Sequence, residues 1–227
     1  MIELFWVGGP LFMIPLILGS MAVGTVAIER YRRFRLAHVD YDGFFAEIKE
    51  SIDSGGVASA IDMAEATPGP IAAAWSAGLQ SHRLPLPVLR EKMDSVSIAE
   101  VQRLERFLPL VSVIAQVAPL VGILGTVWGM IGSFEGVAGG LSSGSGVDGE
   151  LLASGIGQAL VTTALGLAVA IPATILHHWF AHKVDGFIDD LERSRADLIE
   201  IMTIIAPRKK SVAAKSTAPI RSAESQP

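Results

Sequence analysis

The chain has 227 residues, half of them apolar and only 18% charged, and its mean hydropathy is +0.47. A soluble domain of this size has too little interior to hide so much apolar surface, so the composition indicates lipid as a solvent. The absence of cysteine excludes disulfides, thiolate metal sites and cysteine nucleophiles. A net charge of -5 without a basic stripe argues against a nucleic-acid partner.

Three uncharged runs occur in chain order, at residues 4–28, 107–134 and 151–181. Each exceeds the roughly 20 residues that a helix needs to cross a bilayer, so we expect an all-α membrane protein with three transmembrane helices. The second run would form a helix about 42 Å long, which is more than about 30 Å of hydrocarbon. The first run should be retained, because Glu3 precedes it and arginines follow it, the reverse of a signal peptide.

The basic residues predict the orientation of these helices. No Lys or Arg lies between Arg106 and Lys183. All 18 basic residues therefore fall on the cytoplasmic side if the amino terminus is outside and the carboxyl terminus inside. This topology predicts transmembrane helix 1 at 1–29, a cytoplasmic helical region at 30–106, transmembrane helix 2 at 107–134, a periplasmic loop at 135–150, transmembrane helix 3 at 151–181, a cytoplasmic helix at 182–206 and a disordered basic tail at 207–227.

The cytoplasmic region contains helix formers interrupted by three Gly- or Pro-rich breaks. The breaks predict helices near 40–53, 56–66, 70–81 and 87–106, with the last running directly into the second span. After the third span, apolar residues continue at helical spacing. Helices 2 and 3 are therefore expected to extend into a cytoplasmic helical bundle.

The second span combines a polar face with a stripe of small residues. On a helix that turns about 100° per residue, its polar side chains fall within one face about 100° wide. The glycines repeat at intervals of three and four, a pattern that permits close approach of a neighbouring helix. The polar residues are Ser112, Gln116, Thr126 and Ser133, and the glycines are Gly122, Gly125, Gly129 and Gly132.

The third span repeats this pattern with Gln158, Thr162 and Thr163 beside the small residue Gly166, and Pro172 is expected to kink it while serving packing. Polar groups in hydrocarbon need hydrogen-bond partners, so they either bond within their own helices or line a hydrated lumen. Their alignment on two helices favours the lumen. The spans carry no Asp, Glu, Lys or Arg, so a proton pathway would need a carboxylate from another subunit. His177 and His178 at the inner boundary are interpreted as anchors, with proton relay as the alternative.

Two stretches carry a family resemblance. Residues 118–131 (APLVGILGTVWGMI) and 155–173 (GIGQALVTTALGLAVAIPA) resemble the signatures of the MotA/TolQ/ExbB proton-channel family. The three predicted spans, with a large inside loop between the first two, favour the ExbB/TolQ branch. In that branch Thr126 and Thr163 match two pore-lining threonines, whereas Gln158 occupies a position where ExbB and TolQ proteins have glutamate.

The resemblance implies a homo-oligomer, a pentamer, in the bacterial inner membrane. Its second and third helices would surround a dimer of an ExbD- or TolR-like partner that bears a membrane aspartate. Proton flow past this aspartate would energise a TonB- or TolA-like protein spanning the periplasm. The resemblance is compatible with an ExbB or a TolQ role, with outer-membrane transport or envelope maintenance as the client process, and with protons or sodium as the ion.

Two other classes of function are alternatives. A non-conducting membrane scaffold would use the same helix-packing faces without moving an ion. A membrane enzyme would need convergent titratable groups in a pocket, which the spans do not offer. No cofactor and no metal site is expected.

Overall fold

The computed structural model describes residues 9–37, 40–142 and 149–216, with side chains described as far as Met202. Every regular element in these ranges is an α-helix, and three long stretches are apolar enough to cross a membrane. The predicted all-α membrane fold is therefore confirmed. The helices are α1 (Pro10–Ala37), α2 (Tyr41–Ala66), α3 (Pro70–Gln80), α4 (Leu86–Glu105), α5 (Leu108–Ser142) and α6 (Gly149–Ser216).

The long helices extend beyond the predicted spans. Helix α5 continues past Phe134 into the segment predicted as a periplasmic loop, and α6 continues without interruption into the predicted cytoplasmic helix. Helix α6 also passes Pro207, where the disordered tail was predicted to begin. The remaining parts of these predictions lie outside the described residues, namely 1–8 of the first span, 143–148 of the loop and 217–227 of the tail.

One predicted break is confirmed and one predicted continuation is wrong. The break at residues 54–56 is a kink within α2, where Gly56 has the non-helical values φ 77° and ψ -173°. By contrast, α4 does not run directly into α5, because Phe107 adopts a left-handed conformation with φ 72°. Pro109 follows two residues later, and prolines are favoured in the first turn of a helix because they lack an N–H.

One of the two compact units comprises described residues 9–35 and 103–185 and contains the apolar helices. Two clusters of small and branched side chains hold α1, α5 and α6 together; they are Val23, Val26, Val111, Ala115 and Ala173, and Leu16, Ala118 and Ala170. Many larger apolar side chains remain exposed on the same helices, among them Leu18, Leu120 and Ile175. Such large apolar exposure marks a lipid-facing surface, so the chain is a multi-pass membrane protein.

The second unit comprises described residues 36–37, 40–102 and 186–216 and has its own apolar core. Trp75 of α3 is fully buried, and its indole N–H donates a hydrogen bond to the Ser194 hydroxyl of α6. Helix α3 approaches α6 closely, since a Cβ on Gly78 would lie 2.7 Å from Cδ2 of Leu198. This unit therefore gains its stability from packing among α2, α3, α4 and the carboxyl-terminal part of α6.

A polar cluster lies at the start of α2 in this unit. The Tyr41 hydroxyl donates a hydrogen bond to the Asp197 carboxylate, and the Arg193 guanidinium lies 5.0 Å from the centre of the Tyr41 ring. Burial, reinforced by the hydrogen bond to Asp197, raises the pKa of Tyr41 above its ordinary value. The phenol is therefore held in its neutral form.

Candidate functional site

Glycine lets α5 and α6 meet backbone to backbone. A Cβ on Gly122 would lie 3.0 Å from the carbonyl oxygen of Thr162, and one on Gly166 would lie 2.7 Å from that of Ala118. A Cβ on Gly129 would likewise lie 3.1 Å from a carbonyl oxygen of α6. A methyl group at Gly166 would force the backbones apart, and one at Gly122 or Gly129 would be tighter than an ordinary contact, so the close approach favours glycine at these positions.

The other predicted packing residues have different surroundings. A Cβ on Gly125 would lie 2.7 Å from Oγ1 of Thr162, so this glycine meets a side chain rather than backbone. Gly132 is exposed and has no atom within 4 Å of its Cβ position, while Ser133, the next residue, is buried in the contact. Pro172 is exposed. The glycine contact is therefore centred on Gly122, Gly125 and Gly129.

Thr126 and Thr163 lie at the edge of this contact. The Thr163 hydroxyl of α6 donates to the carbonyl oxygen of Gly122 on α5 at 3.3 Å. The Thr126 hydroxyl donates to the carbonyl oxygen of Ile123 within its own helix at 2.6 Å. Both threonines are partly exposed, so each hydroxyl oxygen keeps access as an acceptor to a molecule outside the chain.

Helix α1 lies on the other side of α5 from Thr126. A Cβ on Gly19 would lie 3.3 Å from Cγ2 of Ile114, and the rings of Phe12 and Trp128 are 6.3 Å apart. At 3.6 residues per turn, Ile114 and Trp128 lie roughly 120–160° around α5 from Thr126. Helix α1 therefore leaves the threonine edge of the contact uncovered.

Ser112 and Gln116 continue this uncovered face of α5. The Gln116 amide donates to the Ser112 hydroxyl at 3.0 Å, and Gln116 is exposed. On a helical projection both residues lie within roughly 80° of Thr126. We refer to Ser112, Gln116, Thr126 and Thr163 as the polar edge.

Thr162 and Ser133 have no such exposure. Thr162 is 0% exposed, and its hydroxyl donates to the carbonyl oxygen of Ala159 at 2.9 Å. Ser133 is 4% exposed, and its hydroxyl donates to the carbonyl oxygen of Gly129 at 3.0 Å. Both hydroxyls are satisfied within their own helices and lie between α5 and α6.

Gln158 is turned toward the start of α1. Its Nε2 atom lies 2.6 Å from the position that a Cβ on Gly9 would take, and Gly9 has a φ of 76°. Gln158 is roughly 140° around α6 from Thr163. The structure therefore does not bring Gln158 together with the polar edge.

The structure also reveals a buried charge that the sequence analysis did not identify. Arg30 of α1 is 0% exposed, and its Nη1 donates to the carbonyl oxygens of Arg103 at 2.8 Å and Leu104 at 3.0 Å. Glu29 accepts two further bonds from the guanidinium, from Nε at 2.6 Å and from Nη2 at 3.0 Å. The sequence did contain a signal for this burial. Arg30 lies four residues after Val26, an apolar position of α1, and therefore on the same face of the helix.

No group of three or more His, Asp or Glu side chains in the described ranges is placed to hold a metal ion. The imidazoles of His177 and His178 are in ring contact at 5.5 Å, and Nδ1 of His177 is buried without a hydrogen-bond partner among the described residues. The polar edge therefore consists of hydroxyl and amide groups.

Comparison with known proteins gives two findings. The model of the MotA/TolQ/ExbB proton channel family matches residues 67–193, which include α5 and the first part of α6. A protein of Methanothermobacter thermautotrophicus named as a biopolymer transport protein ExbB homolog is 28% identical over 192 residues. That match covers 84% of this chain and 66% of the relative, so this chain spans slightly less than two thirds of the relative's length. The chain belongs to the MotA/TolQ/ExbB proton channel family, which is a family of channels and transport motors.

Proposed function

We propose that this chain is the proton-conducting subunit of an inner-membrane motor of the ExbB/ExbD or TolQ/TolR type. Five copies would enclose a lumen, and a partner of the ExbD or TolR type would place a membrane aspartate inside it. Proton passage past that aspartate would drive a TonB- or TolA-like protein that spans the periplasm. The amino terminus would be periplasmic and the carboxyl terminus cytoplasmic.

The observation that carries this proposal is the uncovered polar edge beside the glycine contact. Thr126 and Thr163 belong to this edge but lie on different helices, α5 and α6. Helix α1 packs on the far side of α5. Both hydroxyls already donate to backbone carbonyl oxygens, and a lumen lined by copies of this edge would supply donors for their oxygens and partners for the exposed Gln116 amide.

The chemistry of the polar edge supports different roles for this chain and its partner, with hydrogen-bonding groups from this chain and a titrating group from the partner. Hydroxyl and amide groups accept and donate hydrogen bonds, but they do not change protonation near neutral pH. A titrating group at membrane depth must therefore come from the partner. The glycine contact would set the separation of α5 and α6, and the threonines would orient water and the partner's carboxyl group.

The test is proton flux in liposomes that contain the complex with its partner. Replacing Thr126 or Thr163 by Val keeps the side-chain shape but removes the hydroxyl. We expect the flux to fall about fivefold or more for each variant, because losing one hydrogen bond of about 1 kcal/mol in a rate-determining state changes a rate by that factor. Thr25→Val is the matched control for Thr126→Val, since the Thr25 hydroxyl of α1 likewise donates to a carbonyl oxygen of its own helix, that of Met21, at 2.8 Å.

Three results would count against the proposal. Wild-type flux in both variants would remove the threonines from the pathway. An intact pH gradient across liposomes containing the wild-type complex would favour the non-conducting scaffold. A chain that stays monomeric in detergent when co-expressed with its partner, measured by light scattering, would contradict a shared lumen.

A further inference from the structure

An exposed aromatic contact joins α1 to α6 where both helices reach the end of their apolar runs. The rings of Tyr31 and Trp179 stack, with centroids 6.2 Å apart and 24° between their planes. A second stacked contact, between the buried rings of Phe34 and Phe180, lies next to it and holds the two helices side by side. Tyr31 and Trp179 nevertheless remain 53% and 41% exposed. We refer to Tyr31 and Trp179 as the aromatic pair.

The polar atoms of the aromatic pair are unused within the described part of the chain. Neither the Tyr31 hydroxyl nor the Trp179 indole N–H has a hydrogen-bond partner among the described residues. Side chains with an apolar ring and a polar tip are typical of the boundary between hydrocarbon and lipid headgroups. The aromatic pair is therefore suited to contact lipid at that boundary.

Apolar and basic side chains flank the aromatic pair on opposite sides. Ile28 and Ile175 lie one turn before it on α1 and α6, and both are exposed. Arg35 and Lys183 lie four residues after it, which places each roughly 40° around and about 6 Å further along its helix. Both helices therefore present apolar, aromatic and basic groups in the order in which a bilayer presents hydrocarbon, interface and headgroup phosphate.

The charge beside the aromatic pair is positive and unneutralised. Arg35 and Lys183 are exposed, and neither has an ion-pair partner in the part of the chain that the structure describes. The acidic residue of α1, Glu29, lies roughly 160° around that helix from the aromatic pair, and Asp185 lies roughly 120° around α6 from it. A lipid headgroup with net negative charge complements this surface.

This surface also faces away from the polar edge. Trp179 lies roughly 160° around α6 from Thr163. Helix α1, which carries Tyr31, packs on the far side of α5 from Thr126. A lumen lined by the polar edge would therefore leave the aromatic pair on the outside of the complex, toward lipid.

We propose that the aromatic pair, Arg35 and Lys183 form a binding site for one anionic phospholipid of the membrane that the chain spans. The acyl chains lie against the exposed isoleucines, and the aromatic pair contacts the glycerol and ester groups. The guanidinium of Arg35 and the ammonium of Lys183 bind the phosphate from two different helices. The bound lipid would thus fasten α1 to α6, a role that goes beyond the proposed function and does not require proton conduction.

The test is lipid binding by the purified full chain in detergent, measured by native mass spectrometry with phosphatidylglycerol and phosphatidylcholine as the probes. We expect phosphatidylglycerol to bind about fivefold or more tightly than phosphatidylcholine. Arg35→Gln and Lys183→Gln should each weaken phosphatidylglycerol binding about fivefold, the factor expected for one basic residue near an anionic headgroup, and leave phosphatidylcholine binding nearly unchanged.

Arg33→Gln is the matched control. It removes the same charge from the same part of α1, but Arg33 lies roughly 160° around the helix from Tyr31 and pairs with Glu29 at 2.6 Å. Phosphatidylglycerol binding should therefore stay at the wild-type level in this variant. Equal losses in Arg33→Gln and Arg35→Gln would show that lipid responds only to the overall positive charge and would overturn the site. Wild-type binding in both Arg35→Gln and Lys183→Gln would overturn it as well.

A second measurement identifies what covers the surface in a membrane. The chain contains no cysteine, so Ile175→Cys can carry a single nitroxide label at an exposed position. In liposomes containing phosphatidylglycerol, this label should collide frequently with dissolved oxygen, which concentrates in hydrocarbon. A low collision rate would mean that a second copy of the chain covers the surface, and the lipid site would be rejected. Neither measurement uses the partner or proton flux, so the lipid site can fail while the proposed function stands, and the reverse.

Discussion

Replacing Gly166 by alanine should separate α5 from α6. The added methyl group would lie 2.7 Å from the carbonyl oxygen of Ala118 and 3.2 Å from Cα of Gly122, whereas favourable contacts lie at about 3.5–4.0 Å. Both neighbours are backbone atoms, so no side chain can rotate away. The helices must move apart by roughly 1 Å, and the Thr163 hydrogen bond to Gly122, already 3.3 Å long, should break.

The expected destabilisation follows from overpacking, which typically costs about 1–3 kcal/mol. Losing the hydrogen bond adds about 1 kcal/mol. Alanine favours the helical state over glycine by about 1 kcal/mol and offsets part of this. We therefore expect a net loss of about 1–3 kcal/mol, which lowers the folding equilibrium constant by roughly 5- to 150-fold.

The assay is reversible unfolding in detergent micelles, followed by near-ultraviolet circular dichroism. Gly157→Ala is the control on the same helix, because its Cβ would have nothing within 4 Å. That variant should unfold at the wild-type denaturant concentration or above it. If Gly166→Ala proves as stable as Gly157→Ala, the backbone contact is not what holds α5 to α6.

Three further predictions concern the second unit. Trp75→Phe should destabilise this unit by about 1–3 kcal/mol beyond the effect of the changed packing, because the Ser194 hydroxyl would remain buried without its indole partner. A double-mutant cycle with Ser194→Ala, measured by thermal melts, should give this energy as the coupling between the two residues. In a Tyr31→Phe background, where Tyr41 is the remaining tyrosine, absorbance at about 295 nm should show no phenolate near pH 10–11 until the protein unfolds. Because the raised pKa favours the neutral phenol, its contribution to stability is present below about pH 10 and is lost as pH rises through the folded-state pKa. Gly56→Ala should cost about 1–3 kcal/mol in thermal unfolding, because φ 77° with ψ -173° is accessible chiefly to glycine; an unchanged melting temperature would contradict this.

Hydropathy predicted the helical spans because lipid imposes a simple rule on any crossing segment. Backbone groups in hydrocarbon must bond within the segment, so uncharged runs of sufficient length become helices. Helix ends were predicted less well, since neither lipid nor water forces a helix to stop at the membrane boundary. Helix α5 accordingly continues past Phe134 into the segment predicted as a loop, whereas the continuation of α6 past residue 181 was predicted from the apolar spacing that follows the third span.

Periodicity predicts which residues share one face of a helix, but it does not predict which neighbour that face contacts. The spacing of Gly122, Gly125 and Gly129 matched the observed contact, whereas Gly132 continued the pattern but not the contact, in which Ser133 takes its place. The break at Phe107 did have a local signal, since Pro109 two residues later is typical of the first turn of a new helix. The bonds from Arg30 to the carbonyl oxygens of Arg103 and Leu104 had none, because Arg30 lies far away in the sequence.

The glycine contact also bears on how this sequence is free to diverge. Glycine and the backbone have no rotamers to lose, so α5 and α6 associate with little loss of conformational entropy. The same backbone contact is strained by an added methyl group, most of all at Gly166. We therefore expect substitutions to accumulate on the lipid-facing surface, where leucine, isoleucine and valine can exchange. At Gly122 and Gly166 we expect larger residues to be selected against.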